Sequence, residues 1–409
     1  MAERIETLIV GGGQAGLATS YYLRQANRDH VVLEQAAQAG HAWRDGRWDS
    51  FTLVTPNWSI RLPGMEYQGG DPDSYMPREE LVRYFEQYVE HFNLPVQYGV
   101  KVIAVEQIEG GYSVMTAGKS YQAANVVMAT GLYQQPKIPP SSARLPADIL
   151  QLHSGQYRNP GVLPPGAVLV VGTGQSGCQI AEELYFSGRK VYLSVGTAGR
   201  APRRYRGKDT FDWLNQVGFF DRTLDKLPSP QAKFAANPQL SGKDGGHALN
   251  LHQFARDGVT LLGRLQNIEA GSIQFAPDLM DNLAKADKLE SDIIQMIDGY
   301  IAKNGIVAPD DHVRQLRDGY DAPVIEKLDL KAAGITSIIW ARGYQFDFSL
   351  VKLPIFDEDG YPAQQGGVTA YPGLYFVGLP WLPAQKSGLL LGVRENAAYI
   401  AADIESRKH

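Results

Sequence analysis

Cysteine is nearly absent: of 409 residues only Cys178 carries a thiol. A disulfide framework within the chain is thereby excluded, as is a paired-thiol redox centre of the CxxC kind. One lone thiol fits a reducing compartment, and a cytoplasmic location is expected. No apolar run approaches the ~20 residues that span a bilayer, so no membrane helix is expected. The opening residues run straight into a glycine-rich turn and do not read as a signal peptide. Charge of either sign is not in excess: 39 Lys and Arg stand against 44 Asp and Glu, a net −5. That leaves no electrostatic basis for nucleic acid or an anionic membrane as partner. The histidines are scattered; His247 and His252 are five apart, not the four that would put two ligands on one helix face, and no metal site is expected. No carboxylate pair and no Ser/His/Asp set stands out either, which turns attention to chemistry carried by a cofactor.

What the chain has in quantity is glycine, 43 residues, and two of its clusters share one pattern. In residues 4–34 an apolar run ends at Val10 and meets Gly11-Gly12-Gly13-Gln14-Ala15-Gly16. A helix-like stretch, Leu17 to Ala26, follows, then Val31-Val32-Leu33 and the acid Glu34. Strand, glycine turn, helix, strand and terminal acid form the dinucleotide fingerprint. Gly11 permits the tight turn, Gly13 lets backbone approach a pyrophosphate, and Gly16 lets helix and strand lie close. The helix start at Gln14 and Ala15 offers free N–H groups and the positive dipole end to phosphates. Glu34, followed by Gln35, is placed to accept hydrogen bonds from a ribose diol. About 160 residues further on, Ala167–Val171 leads into Gly172-Thr173-Gly174-Gln175-Ser176-Gly177, a helix-like Cys178 to Ser187, and a strand from Lys190 to Val195. This is the same unit again, and the pair is far more specific than either alone.

At this length, with 44% hydrophobic and 20% charged residues, two or three soluble globular domains are expected. The spacing predicts an amphipathic helix over 78–92, strands over 96–105, 111–116 and 120–128 as a small antiparallel layer, and a strand-to-turn at Ala129-Thr130-Gly131. Prolines at 136, 139 and 140, and again at 160, 164 and 165, mark crossings between domains. Strands near 259–263 and 273–275, helices near 277–303 and 309–317, a strand at 337–340 with a turn at 341–343, and a strand closing at Gly378 follow. A last helix is expected from Ser387, as N-cap, to Ile404.

Two dinucleotide sites in one chain point to hydride passing from a nicotinamide to a flavin. The first, with Glu34, suits the unphosphorylated ribose of FAD. The second has Ser194 at that place, followed by a basic loop with Arg200, Arg203, Arg204 and Arg206. Guanidinium groups there suit a 2′-phosphate, hence NADPH, with Arg203 and Arg204 as first choices. Cys178, beside the third glycine of the second loop, is expected to pack in the core.

The paired fingerprints, Gly40 with Trp43 soon after the acid, Ala129-Thr130-Gly131 and the second such turn at 341–343 resemble the flavin-containing monooxygenases over essentially the whole chain. Arg47-Trp48-Asp49-Ser50-Phe51, Thr55-Pro56-Asn57-Trp58, the Arg203–Gly207 loop and Gly378-Leu379-Pro380-Trp381 resemble a bacterial subgroup of flavin-dependent oxidoreductases. The resemblance implies an α/β fold of two Rossmann-like dinucleotide-binding domains. The NAD(P)-binding domain (161–329) is inserted in a discontinuous FAD-binding domain (1–160 and 330–409). It implies FAD reduced by NADPH, dioxygen added at flavin C4a, and transfer of oxygen to a small molecule's nitrogen or sulfur. Asn57 lies near the family's asparagine that serves the peroxide. Gly378 and Gly388 are expected under the flavin; Trp43, Trp58 and Trp381 are candidates to line it. The sequence departs from the family's motif upstream of His153-x-x-x-Tyr157, with Ala147 and Ile149, and carries Arg342 where threonine is usual. A reductase or oxidase with the same cofactors stays open as the alternative, and a non-catalytic nucleotide-binding regulator as a remote one. The 277–317 helices are candidates for an active-site cap or a homodimer contact.

Overall fold

Two βαβ units, each begun by a strand buried at its C-terminal end, seed two separate sheets. The computed structural model describes residues 2–227, 229–269 and 271–407. The first unit is β1 (Glu3–Val10), α1 (Gln14–Gln25) and β2 (His30–Glu34). It continues through α2 (Arg78–His91), β3 (Val96–Tyr98), β4 (Val102–Ile108), β5 (Gly111–Thr116) and β6 (Ser120–Met128). A crossing strand β7 (Gln135–Pro136) leads to β8 (Leu150–His153) and the second unit, β9 (Ala167–Val171), α3 (Gln175–Phe186) and β10 (Val191–Ser194). Then come α4 (Thr210–Gln216), β11 (Thr260–Leu262), β12 (Leu265–Glu269), β13 (Ser272–Phe275) and α5 (Leu279–Asn304). The chain closes with β14 (Lys327–Asp329), β15 (Ile335–Trp340), β16 (Tyr344–Gln345), β17 (Leu374–Phe376) and α6 (Val393–Ser406).

The first sheet has the order β3-β2-β1-β6-β5-β4, with β17 also on β6. β6 explains how one sheet is both parallel and antiparallel. Its first half, Ser120–Ala123, pairs antiparallel with β5, and its second half, Val126–Met128, pairs parallel with β17. The antiparallel layer thus returns to the parallel sheet through β6, as expected. The second sheet, β11-β10-β9-β15-β8, is parallel throughout. Its central β9 and β10 are buried at every position, as parallel strands covered on both faces must be. Two of its strands, β8 and β15, fall outside the 161–329 span expected for it, because the outgoing and returning crossings pair with each other as β7 and β16.

Helical faces follow from apolar spacing. α2 buries Leu81, Val82, Phe85 and Tyr88, with Glu79 and Glu80 in its first turn where the helix dipole favours acids. Each such side chain contributes about 1.5–3 kcal/mol by leaving water. α1 lies against α6, joining Leu17 and Leu23 to Ala397, Ile400 and Ile404 in one core.

Two expectations are corrected, and one strand is added. The last helix starts at Val393, not Ser387, whose hydroxyl donates instead to Ala384 O (2.7 Å) inside a 3-10 turn, Gln385–Gly388. Leu389, extended at φ −103° and ψ 155°, separates that turn from α6. Residues 309–317 form no helix: Asp310 and Asp311 are drawn to Arg206, one to its guanidinium and one to its backbone N–H. β12, bonded to β13, had no readable alternation in sequence. Among the described residues no helix is long and apolar enough to cross a membrane.

Candidate functional site

The two glycine loops are superimposable in their logic. Gly11 (φ +110°) and Gly172 (φ +109°) both adopt backbone closed to ordinary residues. A Cβ on Gly11 would stand 2.6 Å from Ala129 O, and one on Gly172 2.5 Å from Ala341 O. Ala129-Thr130-Gly131 thus backs the first loop, as Ala341–Gly343 backs the second. A Cβ on Gly16 would meet Gly11 O at 1.9 Å, and one on Gly177 would meet Gly172 O at 1.9 Å. The third glycine therefore brings helix onto strand in both units. The second glycines differ in kind: a Cβ on Gly13 or Gly174 would meet nothing within 4 Å. Each is the N-cap of its helix without any side-chain cap. Open space in front of uncapped N–H groups at a dipole's positive end fits a pyrophosphate.

The residues after these glycines are tethered alike. Gln14 Nε2 donates to Gly388 O (2.7 Å) and Gln175 Nε2 to Pro238 O (3.0 Å). Ala15 is buried against Gly378, whose added Cβ would lie 2.2 Å from Ala15 Cβ. Ser176 is half-buried at the start of α3. Thr130 Oγ1 accepts from Gln134 Nε2 (3.0 Å).

The ribose ends diverge. Glu34 accepts from Gly12 N (2.6 Å) and Ala36 N (2.7 Å), which fixes a half-buried carboxylate beside the first loop, with Gln35 exposed next to it. In the second unit, Ser194 Oγ donates to Gly263 O (2.9 Å) and accepts from Leu265 N (3.2 Å), so it stitches strands together. The arginines that follow are mostly spent on the fold. Arg203, 4% exposed, gives Nε and Nη2 to Asp209 Oδ2 (2.8 and 2.5 Å) and Nη1 to Val54 O (2.8 Å). It is not free to take a phosphate, which corrects its expected role. Arg200 is 1% exposed and paired with Glu290 and Asp287. Arg204 is exposed and donates to the carbonyls of Gly245 and Gly246 (3.0 and 3.4 Å).

Residues 58–61 meet residues 389–391, and Gly378 and Gly388 lie against the residues that start α1. Trp43 is half-buried between Phe51 and Phe85, ring centroids 6.0 and 6.5 Å away. Asn57 sits in a 3-10 turn, Asn57–Ser59, and donates Nδ2 to Asp71 O (3.0 Å). Its Oδ1 is buried with no partner, and so is Nε1 of Trp58. An unmade buried bond costs about 1–3 kcal/mol, a cost that a bound polar group would offset. Arg61 N donates to Leu390 O (3.3 Å), which ties this turn to the stretch after Gly388. Trp381, at φ +65°, gives Nε1 to Lys233 O (3.2 Å).

Several residues of the quoted motifs have partners that the sequence did not disclose. Arg47 stands over three rings, those of Trp43, Phe51 and Tyr133, at 5.3–5.9 Å. Tyr157 and Ser50 both donate to Glu183 on α3 (2.6 and 2.5 Å), and His153 Nε2 lies 3.0 Å from Gly343 O. The surviving His-x-x-x-Tyr pair therefore clamps the crossing. Cys178 is fully buried, and burial raises its thiol pKa beyond ordinary use.

His247 Nε2 lies 2.8 and 2.9 Å from the two carboxylate oxygens of Glu182, and this hydrogen bond holds its pKa above the usual histidine value. The pair's stabilisation is complete below the unfolded value of ~6.5 and is lost as pH rises through the folded one. His247→Gln should therefore lower the thermal midpoint at about pH 5.5 and change it little near pH ~9. A deficit that grew with pH would contradict this.

Comparison with known proteins fits this geometry. Residues 8–214, from the first loop into α4, match the pyridine nucleotide-disulphide oxidoreductase family. A Geobacillus kaustophilus protein named uncharacterized oxidoreductase CzcO-like is 32% identical over 99% of both chains. The probable indole-3-pyruvate monooxygenase YUCCA3 of Arabidopsis thaliana is 24% identical over 98% of this chain and 86% of its own. Among solved structures, the flavin-containing monooxygenase of Stenotrophomonas maltophilia shares the fold at TM-score 0.66, with 20% identity over 99% of both chains.

Proposed function

The chain belongs to the pyridine nucleotide-disulphide oxidoreductases, on their flavin monooxygenase-like side, and from that premise we propose an NADPH-using, FAD-dependent monooxygenase acting on nitrogen or sulfur of a small molecule. The observation that carries this reading is the pair of matched cradles, one closed by the carboxylate of Glu34 and one without any acid at that place. With a single, buried thiol the disulfide chemistry of the family's name has no dithiol here. FAD bound at Gly11–Gly16 would supply hydride acceptance and reaction with dioxygen. NADPH at Gly172–Gly177 would supply the hydride. We take the flavin unit as 1–160 with 330–409 and the nicotinamide unit as 161–329, with β8 and β15 exchanged into the second sheet.

This chain's own contributions are binding, enclosure and one amide. The loop amides and helix dipoles bind the two pyrophosphates. Glu34, held by Gly12 N and Ala36 N, orients a ribose diol. Asn57 presents an unpaired carbonyl oxygen in a place closed to water. For the ribose phosphate of NADPH, Arg204 remains the available guanidinium of the two first choices.

The test mixes holoenzyme with NADPH under argon, admits air, and follows NADPH, peroxide and oxygenated amine or sulfide. Product in step with NADPH supports the proposal; peroxide in step with NADPH favours an oxidase, and a flavin that NADPH leaves oxidised removes both. Asn57→Ala should leave flavin reduction by NADPH unchanged while shifting the yield from product to peroxide by ~tenfold, the upper scale of one lost hydrogen bond accepted by its amide oxygen. Unchanged coupling in that variant would take Asn57 out of the site.

A further inference from the structure

One place in the fold gathers apolar side chains from four distant stretches: Trp58, Phe211, Phe219 and Met296 stay half-buried there against buried Phe220 and Leu391. Phe211 and Phe220 stack with centroids 5.7 Å apart and an 11° angle. Leu391 lies just past Gly388, whose carbonyl takes the amide of Gln14 at the start of α1. The cluster is therefore joined by residues 388–391 to the start of α1. Half-buried apolar side chains from separate elements converge in this way where an apolar ligand docks.

Two arginines flank it, and both are bound by neutral groups. Arg222 stands 3.6 Å from the ring centroid of Phe219, with Nε on Phe219 O (2.9 Å) and Nη2 on Gln385 Oε1 (2.9 Å). Arg61 lies 5.6 Å over Trp58, with Nε on Trp58 O (3.1 Å). Among the described residues neither guanidinium has a carboxylate partner, whereas Arg203 and Arg256 each have one and Arg200 and Arg206 two. Nearby Lys386 is already compensated by Asp221 and Glu395. Arg222 is also fixed through its backbone, since Gln385 N, in the distant 3-10 turn Gln385–Gly388, donates to Arg222 O (3.0 Å). Burial with no anion to offset it lowers the pKa of Arg222. A guanidinium has five N–H donors in a rigid fork, and Arg222 uses only two on protein acceptors. The remaining donors match a carboxylate.

We propose that this cluster is the substrate pocket of the oxygenation proposed above, and that the substrate is an apolar carboxylic acid. Its carboxylate sits on Arg222 and its body on the rings of Trp58, Phe211 and Phe219. The inference rests on the monooxygenase reading, and its test separates the two. Three sulfides with the same aryl methyl sulfide body and an anionic, neutral or cationic head group serve as probes: 4-(methylthio)phenylacetate, its N-methylamide, and 4-(methylthio)benzylamine. Calorimetric titration into holoenzyme reads binding without turnover, and sulfoxide formation with NADPH and air reads function. The acid should bind at least ~tenfold more tightly than the amide, and the amine most weakly. Arg222→Gln should remove that preference and leave the amide's affinity unchanged, while Arg222→Lys retains part of it. Amide or amine binding as tightly as the acid, no binding of the acid, or equal weakening of all three by Arg222→Gln would overturn the assignment. Sulfoxide from the amine alone would sink it and leave the monooxygenase standing. Acid binding that depends on Arg222, with no sulfoxide from any probe, would keep the anion pocket and remove the oxygenation.

Discussion

Gly13→Ala should give a folded, colourless protein, and Gly174→Ala a folded, yellow one that NADPH reduces poorly. The fold tolerates both changes, because an added Cβ meets no atom within 4 Å at either position and both backbones have ordinary negative φ, −81° and −65°. What the methyl fills is the space in front of the helix N-terminus. Crowding one methyl against a bound pyrophosphate costs about 1–3 kcal/mol, roughly tenfold to a hundredfold in affinity. The measurement is the ratio of flavin to protein absorbance after purification, with rapid-mixing reduction by NADPH. Gly16→Ala would not serve, since its Cβ would stand 1.9 Å from Gly11 O and disturb the unit itself. Exchanged phenotypes would reverse the cofactor assignment. Two variants with normal flavin and normal reduction would empty both cradles.

The cradles were legible in sequence because everything that makes them is local. Six residues fix the turn, the next dozen the helix, and the acid or its absence is read at the end of the following strand. The arginine loop was not legible for the opposite reason. Its basic sequence resembles a phosphate site, yet the anions that claim it lie elsewhere: Asp209 six residues on, and Asp287 and Glu290 about ninety residues on in α5. No local pattern distinguishes a cation awaiting a ligand from one already paired across the fold. Arg222 shows the reverse case, a single arginine in a stretch with no motif, whose lack of a carboxylate is visible only once its neighbours are placed. Strand exchange at β7 and β16 was hidden likewise, since prolines mark where the chain crosses but not which sheet collects the flanking strands. The last helix was displaced by a contest that side-chain preference alone does not decide. Ser387 is a good cap in isolation, but its hydroxyl is captured by Ala384.

Arg203→Ala should cost about 3–5 kcal/mol of stability, whereas Arg204→Ala should stay within ~0.5 kcal/mol. Arg203 and Asp209 are both about 5% exposed or less, and their pair is supported on every side. Tyr75 donates its hydroxyl to Asp209, and the guanidinium lies 4.4 Å from the Tyr75 ring centroid. Asp209 Oδ1 also caps α4 by accepting from Phe211 N (2.7 Å). Val54 and Tyr75 belong to the stretch that follows the first βαβ unit, while Arg203 and Asp209 follow the second, so this pair fastens one to the other. Deleting the cation leaves a carboxylate buried with two neutral donors, which is the costly way to break a buried pair. Arg203→Met together with Asp209→Asn removes both charges and should recover most of the loss. Urea midpoints read the first effect, and Michaelis constants for NADPH and NADH read the second. In protein that remains folded, Arg203→Ala should move both constants alike, and Arg204→Ala only that for NADPH. Arg203→Ala with wild-type stability and a loss confined to NADPH would return Arg203 to the phosphate and dissolve the fastening role.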